Sequence, residues 1–288
     1  MINRELQLQL FAGHEPQERY SNLVLAKLRK TTIFAKLFNN RYEGTPTAGA
    51  VKIPVRDTEV TVGKYNKVTG GELTHSTTTY ETLTIDQDIY VNELIDGYDA
   101  ASVPDSLVAD RLDSAGYSMG ITTDSDLINL LVEKGTVSAD TTALTKDTIY
   151  ESVVDEVVAL KKKGLKPAEL WLAVPNETYA LLLKCPEFVR ATELGDKVVK
   201  EGLVGRINGL DVYETNNIPD AANVEYIIGN TVFCHYVAEW MVPVKVNDLR
   251  DAKHIGASAV QGRRVYGRKI TRPTTVTVRK RASVAQGE

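Results

Sequence analysis

At 288 residues, with 43% hydrophobic and 25% charged side chains, the chain holds enough apolar material for one large or two modest domains, which argues against a disordered polymer. A formal net charge of −4 argues against a dedicated nucleic-acid binder, because neutralising phosphates takes a surplus of Lys and Arg. Cys185 and Cys234 are the only cysteines, far apart and in no CxxC pattern, so neither a disulfide framework nor a zinc module is signalled and a reducing compartment is the natural inference.

No run approaches the roughly 20 apolar residues of a membrane helix, and Met1 to Leu10 lack the pattern of a signal peptide, so the expectation is a chain made and kept in cytosol, with no membrane partner. Leu6, Leu8 and Leu10 alternate with polar residues up to Ala12-Gly13, the pattern of a short extended arm. Leu23, Leu25, Leu28, Ile33, Phe34 and Leu37 supply one or two short helices, ending at Asn39-Asn40. From Tyr42 to Asp88 the chain turns rich in Thr and Val, with alternation at Val51-Lys52-Ile53 and Val60-Thr61-Val62 and a turn at Gly70-Gly71, which predicts a long two-stranded excursion. Tyr80 to Tyr90 repeats the strand pattern, with Leu83, Ile85 and Ile89 on one side.

Asp105 to Glu133 reads as one long helix: Val108, Leu112, Ala115 and Met119 recur at three to four residues and Leu127, Leu130 and Leu131 resume the stripe. Gly116 and Gly120 weaken its middle by about 1 kcal/mol each relative to Ala, so packing along its length must hold it. Gly135 closes it, and the Thr/Ser/Ala stretch from Thr136 to Thr145 reads as a linker to a second unit. There Ile149, Val153, Val157 and Leu160 form a helix stripe that stops at Lys161-Lys162-Lys163-Gly164. A buried strand at Leu170 to Val174, a helix at Asn176 to Lys184 and strands at Asp211 to Tyr213 and Tyr226 to Ile228 follow. Met241 to Val246 and Gln261 to Lys280 read as strands again, which suggests an α+β chain whose end returns to the first unit, with the middle inserted.

The residue types of catalysis are scattered. His14, His75, His235 and His254 show no HExxH or i,i+4 spacing, so no metal or cofactor is expected. Cys234 and His235 are neighbours in a strand and point to opposite faces, which prevents a thiolate–imidazole pair. Asp86 and Asp88 share one face of a strand, whereas Asp124 and Asp126 fall on a helix and read as a solvated face. Gly202 to Gly209 lacks phosphate-loop spacing and reads as turn geometry. What stands out is charge: from Glu72 to Asp113 there are ten Asp and Glu against only Arg111, while Arg263, Arg264, Arg268, Lys269, Arg272, Arg279, Lys280 and Arg281 form a basic stretch. These charges either pair within one chain or lie on solvated faces, or else Asp86, Asp88 and Glu93 of one copy meet Arg263, Arg264, Arg268 and Arg272 of another.

Several segments carry a resemblance. Leu6-Gln7-Leu8-Gln9-Leu10-Phe11-Ala12 resembles the amino-terminal signature of many capsid proteins from phages of Gram-positive bacteria. Tyr42-Glu43-Gly44, Val51-Lys52-Ile53-Pro54 and Leu83-Thr84-Ile85-Asp86-Gln87 are similar to that family's hairpin and return strand, and Thr123-Asp124-Ser125-Asp126-Leu127 resembles the end of its long spine helix. Gly205 to Tyr213 with Asn217-Ile218-Pro219 resembles its inserted domain, and Val265-Tyr266-Gly267-Arg268-Lys269 its terminal strands. The matches fall in the family's order over nearly the whole chain.

The resemblance implies a tailed-bacteriophage major capsid protein with the fold shared by tailed-phage and herpesvirus shells. The expected organisation is an arm and short helices at 1–41, an extended loop at 42–80, a peripheral domain with the spine helix at 81–135, an axial domain at 136–240, and return strands with a tail at 241–288. It further implies pentamers and hexamers of the chain itself, a portal, weak non-specific contact with double-stranded DNA, assembly in the host bacterial cytoplasm and residence in the virion capsid. No long charged segment precedes the arm, so a separate scaffolding protein is expected, and no self-crosslinking Lys–Asn pair is carried over. Two other readings stay open: an encapsulin-like nanocompartment shell of the same fold, and a soluble two-domain enzyme with a dispersed site.

Overall fold

Among the described residues two sheets take up the strands, and one long helix touches both. The computed structural model describes residues 30, 32–41, 49–55, 60, 62–71, 73, 75, 78–97, 107–186, 203–219, 222–249, 253 and 255–281. The expected arm at 6–12 and the expected helical positions at 23–28 lie outside these residues. The described elements run α1 (Phe34–Leu37), β1 (Ala50–Val55), β2 (Thr79–Ile95), α2 (Leu107–Lys134), β3 (Thr136–Val137), α3 (Ile149–Lys162), β4 (Leu170–Pro175), α4 (Asn176–Leu183), β5 (Leu203–Ile207), β6 (Leu210–Thr215), β7 (Val224–Asn230), β8 (Cys234–Asp248), β9 (Ser258–Ile270) and β10 (Thr277–Lys280).

The first sheet has the order β1-β2-β9-β8, antiparallel throughout. Its β1–β2 pairing is the expected excursion, in register from Ala50 opposite Thr84 to Val55 opposite Thr79. Between the strands a tight turn closes where the Gly70 N–H meets the Asn66 carbonyl at 2.8 Å. Gly70 has φ +74 there, a conformation that costs glycine nothing and other residues a clash. Val91, Ile95, Val244, Val246 and Val260 of this sheet pack under Val108, Leu112 and Ala115, the amino-terminal half of α2.

The second sheet has the order β3-β10-β7-β4-β6-β5, with β3–β10 and β4–β6 parallel. Its central strands are buried on both sides, as near-continuous apolar runs require. Leu170, Leu172 and Val174 of β4, with Tyr226 and Ile228 of β7, face the stripe Ile149, Val153, Val157 and Leu160 of α3. Trp171, Ala173 and Ile227, one residue out of phase, face Leu127, Ile128 and Leu131 of α2 and Phe34 of α1. The expected stop after α3 is a Schellman motif: the Gly164 N–H meets the Lys161 carbonyl at 2.9 Å, Leu165 reaches back to the Leu160 carbonyl at 3.5 Å, and Gly164 takes φ +90. Asn208 and Gly209, at φ +49 and +88, form the turn of the β5–β6 hairpin, which is the part Gly209 plays in that stretch.

Two differences from the sequence reading concern connections. The stretch after Gly135 begins with strand β3, whose residues sit beside Thr277 and Val278, so the linker starts as sheet. The strands at the end of the chain divide between the sheets: β8 crosses position 241 and pairs with β9 in the first, while β10 lies between β3 and β7 in the second. A parallel pairing of two residues and a strand partner as distant in the chain as Ile228 is from Thr277 leave no mark on local periodicity.

Candidate functional site

Strand β2 has period two, and the two sides differ in kind. Leu83, Ile85, Val91 and Ile95 turn to apolar clusters, and Tyr80, Asp86, Asp88, Tyr90 and Leu94 are exposed. The antiparallel register with β9 sets Tyr90 opposite Arg263 and Asp88 opposite Val265. Arg263 therefore stands one diagonal from Asp88, within reach of a long side chain. Its Nε donates to Asp88 Oδ1 at 3.0 Å and its Nη2 to Oδ2, a two-pronged pair. The guanidinium holds the Asp88 carboxyl below its ordinary range, and the carboxylate raises Arg263 in turn.

The other expected charges find partners inside the chain as well. Arg268 donates to Asp126 Oδ1 on α2 at 2.6 Å, and Asp86 lies 3.9 Å away. Glu93 pairs with Arg111 of α2 at 3.1 Å. Arg264 lies over the rings of Trp240 at 5.2 Å and Tyr236 at 5.8 Å, and Arg272 over Phe233 at 5.1 Å, cation–π geometry in each case. Lys269 reaches Glu81 at 2.9 Å. The acidic and basic stretches are thus strand neighbours, brought together by the β2–β9 pairing. Asp88 and Arg263 remain accessible, with side chains 44% and 56% exposed, whereas Arg268 and Asp126 are 19% and 21% exposed.

Two residues depart from their sequence reading. Asp124, expected on a solvated face, is 1% exposed. Its Oδ1 accepts the backbone N–H groups of Ile33 at 3.1 Å and Phe34 at 2.8 Å, and its Oδ2 accepts Asn217 Nδ2 at 2.6 Å. Burial raises its carboxyl above the ordinary range, and the three hydrogen bonds act against that rise. The available signal was its place on the α2 stripe, four residues before Ile128, where a polar residue needs a partner. Arg279, part of the basic run, is buried: it donates to Glu225 at 3.1 Å, to Ser152 at 2.6 Å and to the Thr142 carbonyl at 2.9 Å, with Asp140 at 3.0 Å. Hydrogen bonds from Thr142, with Arg279 beside them, hold the Asp140 carboxyl at about 2.

Cys234 and His235 are both buried, and burial pushes the thiol up to about 12 and the imidazole down to about 4. An inert thiol beside a neutral ring is packing, not a nucleophile and its base. Among the described residues no group of three or more His, Cys, Asp or Glu is placed to hold a metal ion, and no helix is long and apolar enough to cross a membrane. The excursion, by contrast, is rich in uncovered apolar side chains: Val62, Val68 and Leu73 are more than nine-tenths exposed, with Val60 and Tyr65 beside them at about three-quarters. On the single chain these side chains stay in water, where they contribute nothing to its core.

Comparison with known proteins places this architecture. No curated protein matches the chain. A solved structure from Mycobacterium phage Che8 is similar at 23% identity and TM-score 0.71, covering 92% of this chain and 97% of that one. The capsid structure of the cyanophage P-SCSP1u is similar at 14% identity and TM-score 0.74, covering 95% and 94%. The capsid of a native GTA particle is similar at 14% identity and TM-score 0.67, covering 96% and 98%. At these identities the likeness establishes the fold, which is that of phage major capsid proteins, as the sequence resemblance implied. The model of the phage capsid protein family matches residues 77–278, well over half of the sequence. The chain therefore belongs to the phage capsid protein family and is a shell-forming protein.

Proposed function

We propose that this chain assembles through pentamers and hexamers into the icosahedral shell around a tailed phage's double-stranded DNA, as a structural subunit and not a catalyst. The observation that carries the reading is the β1–β2 excursion, which leaves Val62, Tyr65, Val68 and Leu73 uncovered on its own subunit and so calls for a neighbouring copy. In this reading residues 1–41 are the arm, 42–80 the loop that reaches the neighbour, 81–135 with strands β8 and β9 the peripheral domain, and 136–233 with strand β10 the axial domain. Asp86, Asp88, Glu93, Arg263, Arg264, Arg268 and Arg272 border the copy-to-copy surface, with Asp88 and Arg263 the most accessible pair among those that meet in one chain.

A separate scaffolding protein and a portal complete the particle, and assembly takes place in the bacterial cytoplasm. Contact with DNA is weak and non-specific: the net charge is −4, and Arg263, Arg268 and Arg279 are already engaged by carboxylates of their own chain. The family match favours a phage shell over a nanocompartment of the same fold. Analytical ultracentrifugation and negative-stain microscopy of the purified chain, with and without its scaffolding protein, test the proposal. Closed shells are the expected result, and monomers and dimers under every condition would overturn it.

A further inference from the structure

Helix α1 has four residues, too few to nucleate alone, and its N-cap residue Ile33 offers no capping side chain. Its first N–H groups are satisfied from 90 residues away, by Asp124 of α2. The segment around it lies along one stripe of that helix. The Lys30 N–H donates to the Tyr117 hydroxyl at 2.7 Å, the Thr32 methyl lies 3.8 Å from where a Cβ on Gly120 would stand, and Ile33 and Phe34 meet Asp124. Positions 117, 120 and 124 follow the i, i+3, i+7 spacing of a helix face. The segment ends on the first sheet, where Asn39 exchanges hydrogen bonds with Cys234 and Tyr236 at 2.8 and 3.0 Å.

The second oxygen of the same carboxylate belongs to another part of the molecule. Asn217 sits in the turn after β6, its own N–H held by Thr215 Oγ1 at 3.2 Å, between the exposed residues Asn216 and Pro219. Losing either set of donors leaves a buried carboxylate under-satisfied, which is costlier than the bond itself. We propose that Asp124 is a shared pin: the seating of residues 32–38 on the long helix and the position of the Asn217 turn depend on each other, so that the two open as one unit. A contact that shifts the exposed turn, such as one made by a neighbouring copy, thereby loosens the amino-terminal segment held by the same carboxylate.

Native-state hydrogen exchange on the full chain tests this without any substitution. The amides of Ile33, Phe34 and Asn217 should open together, with one opening free energy and one denaturant dependence. Opening in separate steps overturns the proposal. Asn217→Ala should speed exchange at Ile33 and Phe34 by about tenfold or more, the size expected for a hydrogen bond to a charged group, while Val153 and Val157 of α3 keep their rates. Unchanged rates at Ile33 and Phe34, or a uniform acceleration that includes Val153 and Val157, would also overturn it. If that variant does not fold, the exchange pattern of the unaltered chain decides alone.

Discussion

Arg263 binds both carboxylate oxygens of Asp88 across two neighbouring strands of one chain, and both side chains keep about half their surface in water. An exposed pair of this kind adds little to folding but sets the charge pattern that a neighbour meets. Arg263→Glu should leave the melting temperature of the subunit nearly unchanged and lower the yield of shells. Mixing separates the two origins of such a defect. If Arg263→Glu and Asp88→Lys subunits assemble together better than either alone, the charges meet between copies; if only the double variant within one chain recovers, the pairing that matters is internal.

Arg268 should behave differently. It is mostly covered, and Asp126 receives the Tyr266 hydroxyl at 3.0 Å as well as the guanidinium at 2.6 Å, which ties β9 to the long helix. Arg268→Glu sets two carboxylates against each other where water is scarce, and should cost about 1.5–3 kcal/mol of subunit stability. Urea denaturation of the subunit measures this, and a change no larger than that of the Arg263 variant would contradict it.

His235 gives the subunit a pH dependence. Its ring is buried against Thr271, with Nε2 3.1 Å from the hydroxyl, and burial lowers its pKa from 6.5 to about 4, with Glu81 raising and Lys269 lowering it to smaller extents. Between those values the unfolded chain binds more protons than the folded one, so stability rises with pH. The contribution is complete above about 6.5, disappears as pH falls toward 4, and is on the order of 2–3 kcal/mol. His235→Gln keeps a polar partner for Thr271 and removes the titration. The difference in stability between pH 7 and pH 4.5 should shrink by that amount in the variant, and an identical pH profile would rule the residue out.

How much of this was legible in the sequence follows from the range of the interactions. The stripe Ile149, Val153, Val157 and Leu160 with its Gly164 stop, the odd-numbered apolar side of β2 and the Asn208-Gly209 turn depend on neighbours within a few residues, and all were readable. Asp124 and Arg279 were not, because the groups that make their burial tolerable lie 93 and 54 residues away, at Asn217 and Glu225. The same holds for the charge-rich stretches: periodicity marked β2 and β9 as strands, but only their mutual register shows that Asp88 and Arg263 are diagonal neighbours.

Gly267 shows how tightly that register is held. It lies in β9 opposite Ile85, beside the bulge in β2, and a Cβ added there would meet the Thr84 carbonyl oxygen and the Leu83 side chain at 2.7 Å. A backbone carbonyl cannot turn aside as a flexible side chain can. Gly267→Ala should destabilise the subunit by about 1–3 kcal/mol, the range of overpacked cores, and its urea midpoint should fall accordingly. A midpoint equal to that of the unaltered chain would mean that β2 yields at its bulge.

The excursion between β1 and β2 allows the most direct test of shell building. Val68 lies within the Asn66–Gly70 turn and Tyr65 just before it, 91% and 76% exposed, and the apolar surface they offer gains nothing for the isolated subunit. Val68→Ser should therefore leave the subunit's stability within about 0.5 kcal/mol of its original value, the usual range for surface changes. If a neighbour buries the side chain, the same substitution removes about 1.5 kcal/mol from each copy-to-copy contact. That corresponds to roughly a tenfold rise in the concentration at which shells form, since 1.4 kcal/mol is a factor of ten. Limited proteolysis gives an independent measurement: this turn should be cut early in free subunits and protected in shells. A Val68→Ser subunit that melts lower and assembles normally would show instead that the excursion packs on its own chain.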